Sequence, residues 1–557
     1  MILGLDVGGT QTDAVLIEGR QIVAATKTPT GEDLLVTLRR VLENILTEVE
    51  PGRLTRMGFS TTMATNAIVE DRLDDVGMIV SAGPGMDPAW FSVGPSYHVV
   101  EGCLDHQGLE AAPLNRDAVL NAASRILKDG IDVLGVASKF SVRNPSHELR
   151  VAEWVGPSFS HVAMGHRVSG ALNFPRRITT TYLNAALHGI HKKFSDALVH
   201  ILNEKGLSAP RYLLKPDGGT IDLDKSIEWP ACTAQSGPAA SVMGALALDG
   251  CEGTTLVLDV GGTTTDMSVV LNGTPLLKPL GIRLGPFQTL IRSLMTHSLG
   301  LGGDSEVRSA ETGKLTIGPL RRGRPVAMGG PSATPTDAMI TLGVLETGNK
   351  DAAKAAMEDV GGASGWDAVT TAEQVLQSMA ETIAASARAF VHEINAKPVY
   401  TIHEVLENQK IEPTSVLIIG GPAPQLAEYI GKALGLPHRF PLHHGVANAV
   451  GAAVARVTSE ITLQADTHRG SVIIPEADVK KEIHSGFDME QAMALGQDIL
   501  SRQAVWIGAE DKGLEISITE KQIFNMIRGY SKIGRNIRLK MGITPGLIPE
   551  WERSRSK

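Results

Sequence analysis

"LGLDVGGTQTDAV", residues 3–15, runs from an apolar segment into a Gly-Gly-Thr turn with an aspartate on each side. Nearly the same string returns 253 positions later as "LVLDVGGTTTDMSVV", residues 256–270, with seven of the eight positions of D-V-G-G-T-x-T-D identical. A generic hairpin needs only turn-compatible residues and tolerates most neighbours. The fidelity of the repeat therefore points to a shared task for the two copies.

The surroundings repeat as well. Leu3–Leu5 and Leu256–Leu258 are apolar strands leading into the turn, and "AVLIEGRQIVAA" and "SVVLNGTPLL" read as strand, tight turn (Glu18-Gly19; Asn272-Gly273) and strand. Each half thus opens with an antiparallel meander. A helix is expected over about 32–49, where Leu34, Leu38, Val41, Leu42, Ile45 and Val49 keep a helical period and Pro51-Gly52 stops it. Beyond it strands and helices alternate, with one long helical stretch after Pro175, loops over 298–337 and a helix over 371–395. This is mixed α/β architecture in two related halves. The expected segments are 1–175 for the first half, 176–457 for the second, and 458–557 as a small C-terminal α+β domain.

A strand that ends in Asp-x-Gly-Gly-Thr presents backbone N–H groups with no side chain in the way, which is a nest for phosphate oxygens. Gly8, Gly9, Gly261 and Gly262 supply the nests, and the hydroxyls of Thr10, Thr12, Thr263 and Thr265 are further candidate donors. Asp6 and Asp259 would repel phosphate directly, but they suit a hydrated Mg²⁺ or Mn²⁺ lying between carboxylate and phosphate. Two such turns suggest a clamp on one polyphosphate, namely ATP. "VLIIGGPAPQLAEYIGKALG", residues 416–435, reads as buried strand, Gly420-Gly421 turn and helix, a place for adenosine to lie against backbone. Strand–Gly-Gly–helix also occurs in any α/β fold. Two small-residue helices, "SGPAASVMGALAL" (236–248) and "GVANAVGAAVA" (445–455), are expected to pack closely.

Composition narrows the classes. The 557 residues are 43% hydrophobic and 20% charged, with a net charge of −9, which excludes the basic surface that tracks nucleic acid. Glycine makes up 59 positions without forming a low-complexity tract, so its residues serve turns and close backbone contacts. Three cysteines, Cys103, Cys232 and Cys251, are too few and too scattered for a disulfide framework. No apolar run approaches the ~18 residues that span a bilayer, and "MILGLDVGGT" lacks a signal peptide's basic start. A cytoplasmic protein, bound to neither nucleic acid nor membrane, is expected.

The order of "DVGGTQTDAVLI", "STTMATNAIVE", "SKFSVRNPSHELRVAEWV", "KPDGGTIDLDKSIEWPACTAQSGPAASVMGA", "LDVGGTTTDMSVV" and "GGPAPQLAEYIGKALGLP" resembles the hydantoinase/oxoprolinase A-type family, over roughly residues 1–455. That family lies in the actin-like, sugar-kinase and chaperone ATPase superfamily. The resemblance implies duplicated ribonuclease-H-like halves around a nucleotide cleft. It also implies ATP-dependent opening of a cyclic amide, such as 5-oxoproline or a hydantoin, through phosphorylation of the amide oxygen. Asp6 and Asp259 match the family's phosphate-loop acids; Asp13 and Asp266 also match, and their alternative role is turn capping. Thr61, Thr62 and Asn66 resemble its Thr-Thr-x-x-Thr-Asn segment, which reads equally as substrate donors and as a helix cap.

"THSLGLGGDSEVRS", residues 296–309, departs from the family's glycine run. Asp304 replaces a third glycine and Glu306 follows, which raises His297 and Asp304 as metal-ligand candidates. His443-His444 is expected to line the nucleotide cleft. The chain is shorter than full-length A-type proteins and carries no B-type region, so a separate B-type subunit is a candidate partner, as is a second copy of the chain. Two other classes share this architecture: a small-molecule kinase, and an ATP-driven activator of a partner enzyme.

Overall fold

The two copies of the motif build the same hairpin. In a computed structural model, which describes residues 1–31, 33–47, 49–310, 314–396, 410–511 and 513–552, Ile2–Val7 pairs antiparallel with Gln11–Glu18, and Thr254–Val260 pairs likewise with Thr265–Leu271. Asp6 stands opposite Asp13, and Asp259 opposite Asp266. The turns close with matching bonds: Gly8 N–H donates to Gln11 C=O at 3.0 Å, and Gly261 N–H to Thr264 C=O at 2.9 Å. Positions 32, 48, 311–313, 397–409, 512 and 553–557 of the expected segments lie outside the described residues.

The chain forms two compact units, each assembled from separated segments. The first comprises Met1–Gly237, Leu277–Ser293 and Ala452–Lys557; the second comprises Pro238–Leu276 and Leu294–Gly451. The sequence reading divides the chain into consecutive pieces, whereas these units interleave.

In the first unit a six-stranded sheet runs in the order Thr220–Asp222, Arg211–Leu214, Arg56–Thr61, Ile2–Val7, Gln11–Glu18, Gln21–Pro29. Its strand Ile2–Val7 is buried and apolar except for Asp6: Leu3 and Leu5 are fully covered, by a core that includes Leu38, Leu42, Leu198 and Leu202. Helix Leu34–Ile45 is shorter than the hydrophobic pattern allows. Asp33 caps its start by accepting from Leu35 and Val36 N–H, and at its end the Thr47 hydroxyl takes the Glu43 and Asn44 carbonyls. The helical stretch after Pro175 divides into Phe174–Ala186 and His188–Glu204. The break coincides with the Asp74 N–H, which takes the Ala186 carbonyl at 3.0 Å. A parallel sheet (His161–Met164, Val133–Ser138, Gly77–Ser81, Ser96–Val99) and a C-terminal antiparallel sheet backed by helix Met489–Trp506 complete this unit.

A buried ion network fastens the C-terminal part to the parallel sheet region. His166 Nδ1 lies 2.6 Å from Glu148 Oε2 and Nε2 lies 2.7 Å from Asp478 Oδ1, so the imidazolium donates to a carboxylate on each side. Burial alone would lower the His166 pKa, but the bonds to Asp478 and Glu148 raise it to about 9; both carboxylates are held below their usual range. A raised histidine contributes stability that is fully present below its unfolded pKa and is lost as pH rises toward 9. We expect the unfolding free energy to fall by roughly 3 kcal/mol between pH 6.5 and 9 from this group. Chemical denaturation across that range checks it, since the His166→Gln variant should lack this slope.

In the second unit the sheet order is Thr274–Pro275, Thr265–Leu271, Thr254–Val260, Ser415–Ile419, His438–Arg439, with Thr296–Leu299 also paired to Thr265–Leu271. Helices Pro335–Thr341, Lys350–Gly361, Ala368–Ala396 and Ala423–Leu434 pack against it. The two sheets follow one plan. Each motif strand has its hairpin partner on one side and a parallel strand on the other, Arg56–Thr61 in one and Ser415–Ile419 in the other. Each parallel strand then leads through a short turn into a helix, Met63–Val69 or Ala423–Leu434. The region 298–337 is largely loop as expected, but it contains the strands Val307–Ser309 and Leu315–Ile317 and the start of helix Pro335–Thr341, capped reciprocally by Thr334 and Asp337. No helix among the described residues is long and apolar enough to cross a membrane.

Candidate functional site

Strand alternation sorts the turn residues. Gly9, Thr10, Gly262 and Thr263 are exposed, while Thr12 and Thr265 are buried. The Thr12 hydroxyl meets Thr30 Oγ at 2.9 Å, and Thr30 Oγ in turn donates to Gly8 C=O at 2.8 Å. The Thr265 hydroxyl donates to Leu301 C=O at 2.7 Å. Those two threonines therefore fasten the turns from behind, a correction to their expected place among the donors. Gln11, at the strand start, is exposed, and the next side chain along a strand points to the other face, so Thr12 turns inward. Thr10 and Thr263 are exposed; a Cβ at Gly9 would meet nothing within 4 Å, whereas one at Gly262 would lie 2.9 Å from Asp304 Oδ2.

The two aspartate pairs differ in their surroundings. Asp13 is met by Lys27 Nζ at 2.8 Å. Asp266 has a Ser298 hydroxyl instead, and burial, together with the facing charge of Asp259, raises its pKa to about 6. Asp259 is oriented by two residues the sequence reading passed over: Ser241 Oγ donates to its Oδ2 at 2.5 Å and Asn448 Nδ2 at 3.3 Å. These are polar positions in the two small-residue helices, Ser236–Leu248 and Ala447–Val454. The helices touch backbone to backbone, for a Cβ on Gly244 would lie 2.0 Å from Ala447 O and one on Gly451 2.2 Å from Ala240 O. Close packing thus brings Ser241 and Asn448 to a single carboxylate oxygen.

Gly420 has φ +97°, and a Cβ there would fall 2.2 Å from Val260 O and 2.8 Å from Asp259 Oδ1. The Gly-Gly turn is therefore pressed against the end of the motif strand, while Gly421 faces open space. His444 holds the turn from the other side: its N–H side chain position Nδ1 is 2.7 Å from Gly420 O, and Gly420 N–H donates to His444 C=O at 3.0 Å.

The loop at 300–306 covers the second turn. Gly303 N–H donates to Gly261 C=O and Asp304 N–H to Gly262 C=O, at 2.9 and 2.7 Å. The acids that break the expected glycine run are each matched by a neighbouring arginine. Arg321 lies 3.1 Å from Asp304, and Arg322 lies 2.9 Å from the buried Glu306. His297 and Asp304 do not come together as metal ligands: His297 stacks on Phe390, and Asp304 bonds Arg321 and Thr336. Among the described residues no group of three or more His, Cys, Asp or Glu could hold a metal ion.

In the first unit Thr61 ends the parallel strand, Thr62 holds the strand-to-helix place that Gly420 and Gly421 hold in the second, and Asn66 lies in the first turn of the helix. Thr61 is buried and its hydroxyl accepts from Met63 N–H at 3.1 Å. Thr62 Oγ donates to Val7 C=O at 3.3 Å, and Asn66 Nδ2 reaches Thr62 Oγ at 3.4 Å. The segment thus ties the helix start to the first motif strand.

The pattern of the hydantoinase/oxoprolinase N-terminal region matches residues 2–156, and that of hydantoinase/oxoprolinase matches 177–461. The chain belongs to the hydantoinase/oxoprolinase family. Caprolactamase subunit alpha from Pseudomonas jessenii is 27% identical over 389 residues, covering 62% of this chain and 55% of that protein. Acetophenone carboxylase gamma subunit from Aromatoleum aromaticum is 25% identical over 392 residues, covering 62% and 53%. The chain spans about half the length of the curated relatives it matches. Its fold is that of ATP-dependent caprolactamase from Pseudomonas jessenii (TM-score 0.71, 17% identity, 97% of this chain and 87% of that one). Nucleotide-free acetone carboxylase gives a TM-score of 0.70 at 16% identity, covering 99% and 88%.

Proposed function

We propose that this hydantoinase/oxoprolinase family member uses ATP to open a cyclic amide, alone or as the A subunit beside a B-type partner. The observation that carries the reading is the repeated Asp-x-Gly-Gly-Thr turn, whose second copy has its aspartate oriented by Ser241 and Asn448. An amide carbonyl is a poor electrophile because resonance stabilises it. Phosphoryl transfer to its oxygen turns that oxygen into part of a leaving group, and water can then add at carbon. The protein's share is positioning and charge neutralisation. The Gly8 and Gly261 N–H groups close the two turns; those of Gly9 and Thr10, and of Gly262 and Thr263, would cradle phosphate oxygens, and Gly421 would lie under adenosine. Mg²⁺ keeps most of its water and needs only one or two carboxylates besides phosphate. An oriented Asp259, and Asp6 at the equivalent place, fit that requirement without a preformed cluster.

Gly261→Val tests nucleotide binding. A Cβ at Gly261 already lies 3.3 Å from Thr264 O, so valine methyls would project into the turn's open side. Affinity for a non-hydrolysable ATP analogue is expected to fall about 10-fold or more, in a variant with wild-type circular dichroism. Unchanged affinity removes the turn from the site.

Substrate class is tested by incubating the chain with MgATP and caprolactam, 5-oxoproline or hydantoin, with and without a B-type subunit. Free phosphate and the ring-opened acid should appear in equal amounts. A second reading, ATP-dependent carboxylation of a small ketone, is favoured by the carboxylase subunits among the relatives. It predicts phosphate release only when ketone and bicarbonate are both present. Phosphate retained on the product would mark a kinase.

A further inference from the structure

A cavity in the first unit, about 390 Å³, shares no lining residue with the first turn or with the Thr61–Asn66 segment. Arg143, Arg469 and Lys480 line it, with Gln464, Ile473 and Met526. The acids at its wall are already engaged. Glu110 is bound by Arg150 and by His147 at 3.0 Å. Asp466 accepts from the His468 and Arg469 N–H groups and lies 3.6 Å from Arg469 Nε. The Arg469 fork is spent on the carbonyl and side chain of Gln107, and neighbouring Arg538 lies 3.2 Å from Glu520.

Arg143 has no such partner. Its side chain makes no hydrogen bond or ion pair among the described residues, and its buried Nε has no acceptor. The Gln464 amide nitrogen, on the same cavity, is likewise buried without an acceptor. Burial, then the charges of Arg538 and Arg469, depress the Arg143 pKa from its usual value, outweighing the carboxylates of Asp105 and Asp466, which raise it. Buried donors in folded proteins find acceptors almost without exception, and two orphans on one cavity wall call for one acceptor-rich occupant. The wall itself is built rather than loose, because Asn144 Nδ2 donates to Gly108 C=O at 2.9 Å beside Arg143.

We propose that this cavity binds a small organic anion whose carboxylate or phosphoryl oxygens accept from Arg143 Nε–H and Gln464 Nε2–H, with its apolar part against Ile473 and Met526. A guanidinium fork matches two such oxygens at once, and Lys480 adds a mobile charge at the rim. The site does not depend on the ATP reading, because none of its residues belongs to the turns.

Calorimetric titration of the full chain with citrate and with inorganic phosphate tests it. At least one should bind with an affinity that weakens as sodium chloride is added. Arg143→Gln is expected to weaken that binding about 10-fold or more, and Gln464→Leu to weaken it less. Without anion, Arg143→Gln should melt no lower than wild type, since it removes a half-buried charge that makes no ion pair among the described residues. Failure of both anions to bind, equal binding by wild type and Arg143→Gln, or a lower melting temperature of the variant with binding unchanged would overturn the proposal.

Discussion

Asp259→Asn is expected to lower ATP turnover by about 10²-fold or more, the scale seen when one group that stabilises transferring charge is removed, and to leave the fold intact. The amide keeps the shape of the carboxylate and can still accept from Ser241, which donates at 2.5 Å. What disappears is the negative charge that would hold a hydrated Mg²⁺ against the phosphates. Folding has something to gain, because Asp259 and Asp266 face each other across the hairpin and the charge of one raises the pKa of the other. Ser241→Ala and Asn448→Ala should each cost less, about 10-fold, because they turn the carboxylate without removing it. Phosphate release at saturating ATP, measured over a Mg²⁺ series, reads all three. Wild-type turnover by Asp259→Asn with the same Mg²⁺ dependence would take Asp259 out of the metal side of the site.

The repeated turn was legible in the sequence because glycine and aspartate at fixed spacing leave few structural alternatives, and the structure gives both copies one hydrogen-bond pattern. The flanking meanders were legible for the same local reason. Ser241 and Asn448 were not: they are separated from Asp259 by 18 and 189 positions, and only the backbone contact between two small-residue helices brings them together. The sequence showed that these helices would pack closely, but not which polar side chain the packing would aim at the strand end. Asp304 and Glu306 looked like a defect in a glycine run. Their partners Arg321 and Arg322 lie beyond a strand pair whose register no local pattern announces. Thr12 and Thr265 were read as donors because nothing local marks their partners: Thr30 and the Leu301 carbonyl lie 18 and 36 positions away. The interleaved units were hidden because a chain returning to an earlier unit leaves no mark in composition.

Gly420→Ala should be as damaging as Asp259→Asn, by a route that runs through the protein rather than through charge. At φ +97° an alanine is strained whatever space surrounds it, and here its methyl carbon would sit 2.2 Å from Val260 O and 2.8 Å from Asp259 Oδ1. Backbone strain and overpacking of this kind cost about 1–3 kcal/mol each, so a total loss of roughly 2–6 kcal/mol in stability is expected. Relief would come by moving either the Gly-Gly turn, which His444 holds by two hydrogen bonds, or the end of the strand that carries Asp259. Either movement displaces the carboxylate from Ser241 and Asn448, so turnover should fall about 10²-fold even in the fraction that remains folded, as a misplacement near 1 Å can cost. Gly421→Ala separates the two effects. Its Cβ would meet no protein atom within 4 Å, so stability should stay within about 0.5 kcal/mol of wild type, while a methyl group standing where adenosine is proposed to lie should weaken nucleotide binding. Denaturant titration and ATP-analogue binding on the two variants decide the matter. A Gly420→Ala protein as stable and active as wild type would mean that the turn is not pressed on the strand end. Unchanged nucleotide affinity in Gly421→Ala would move adenosine elsewhere.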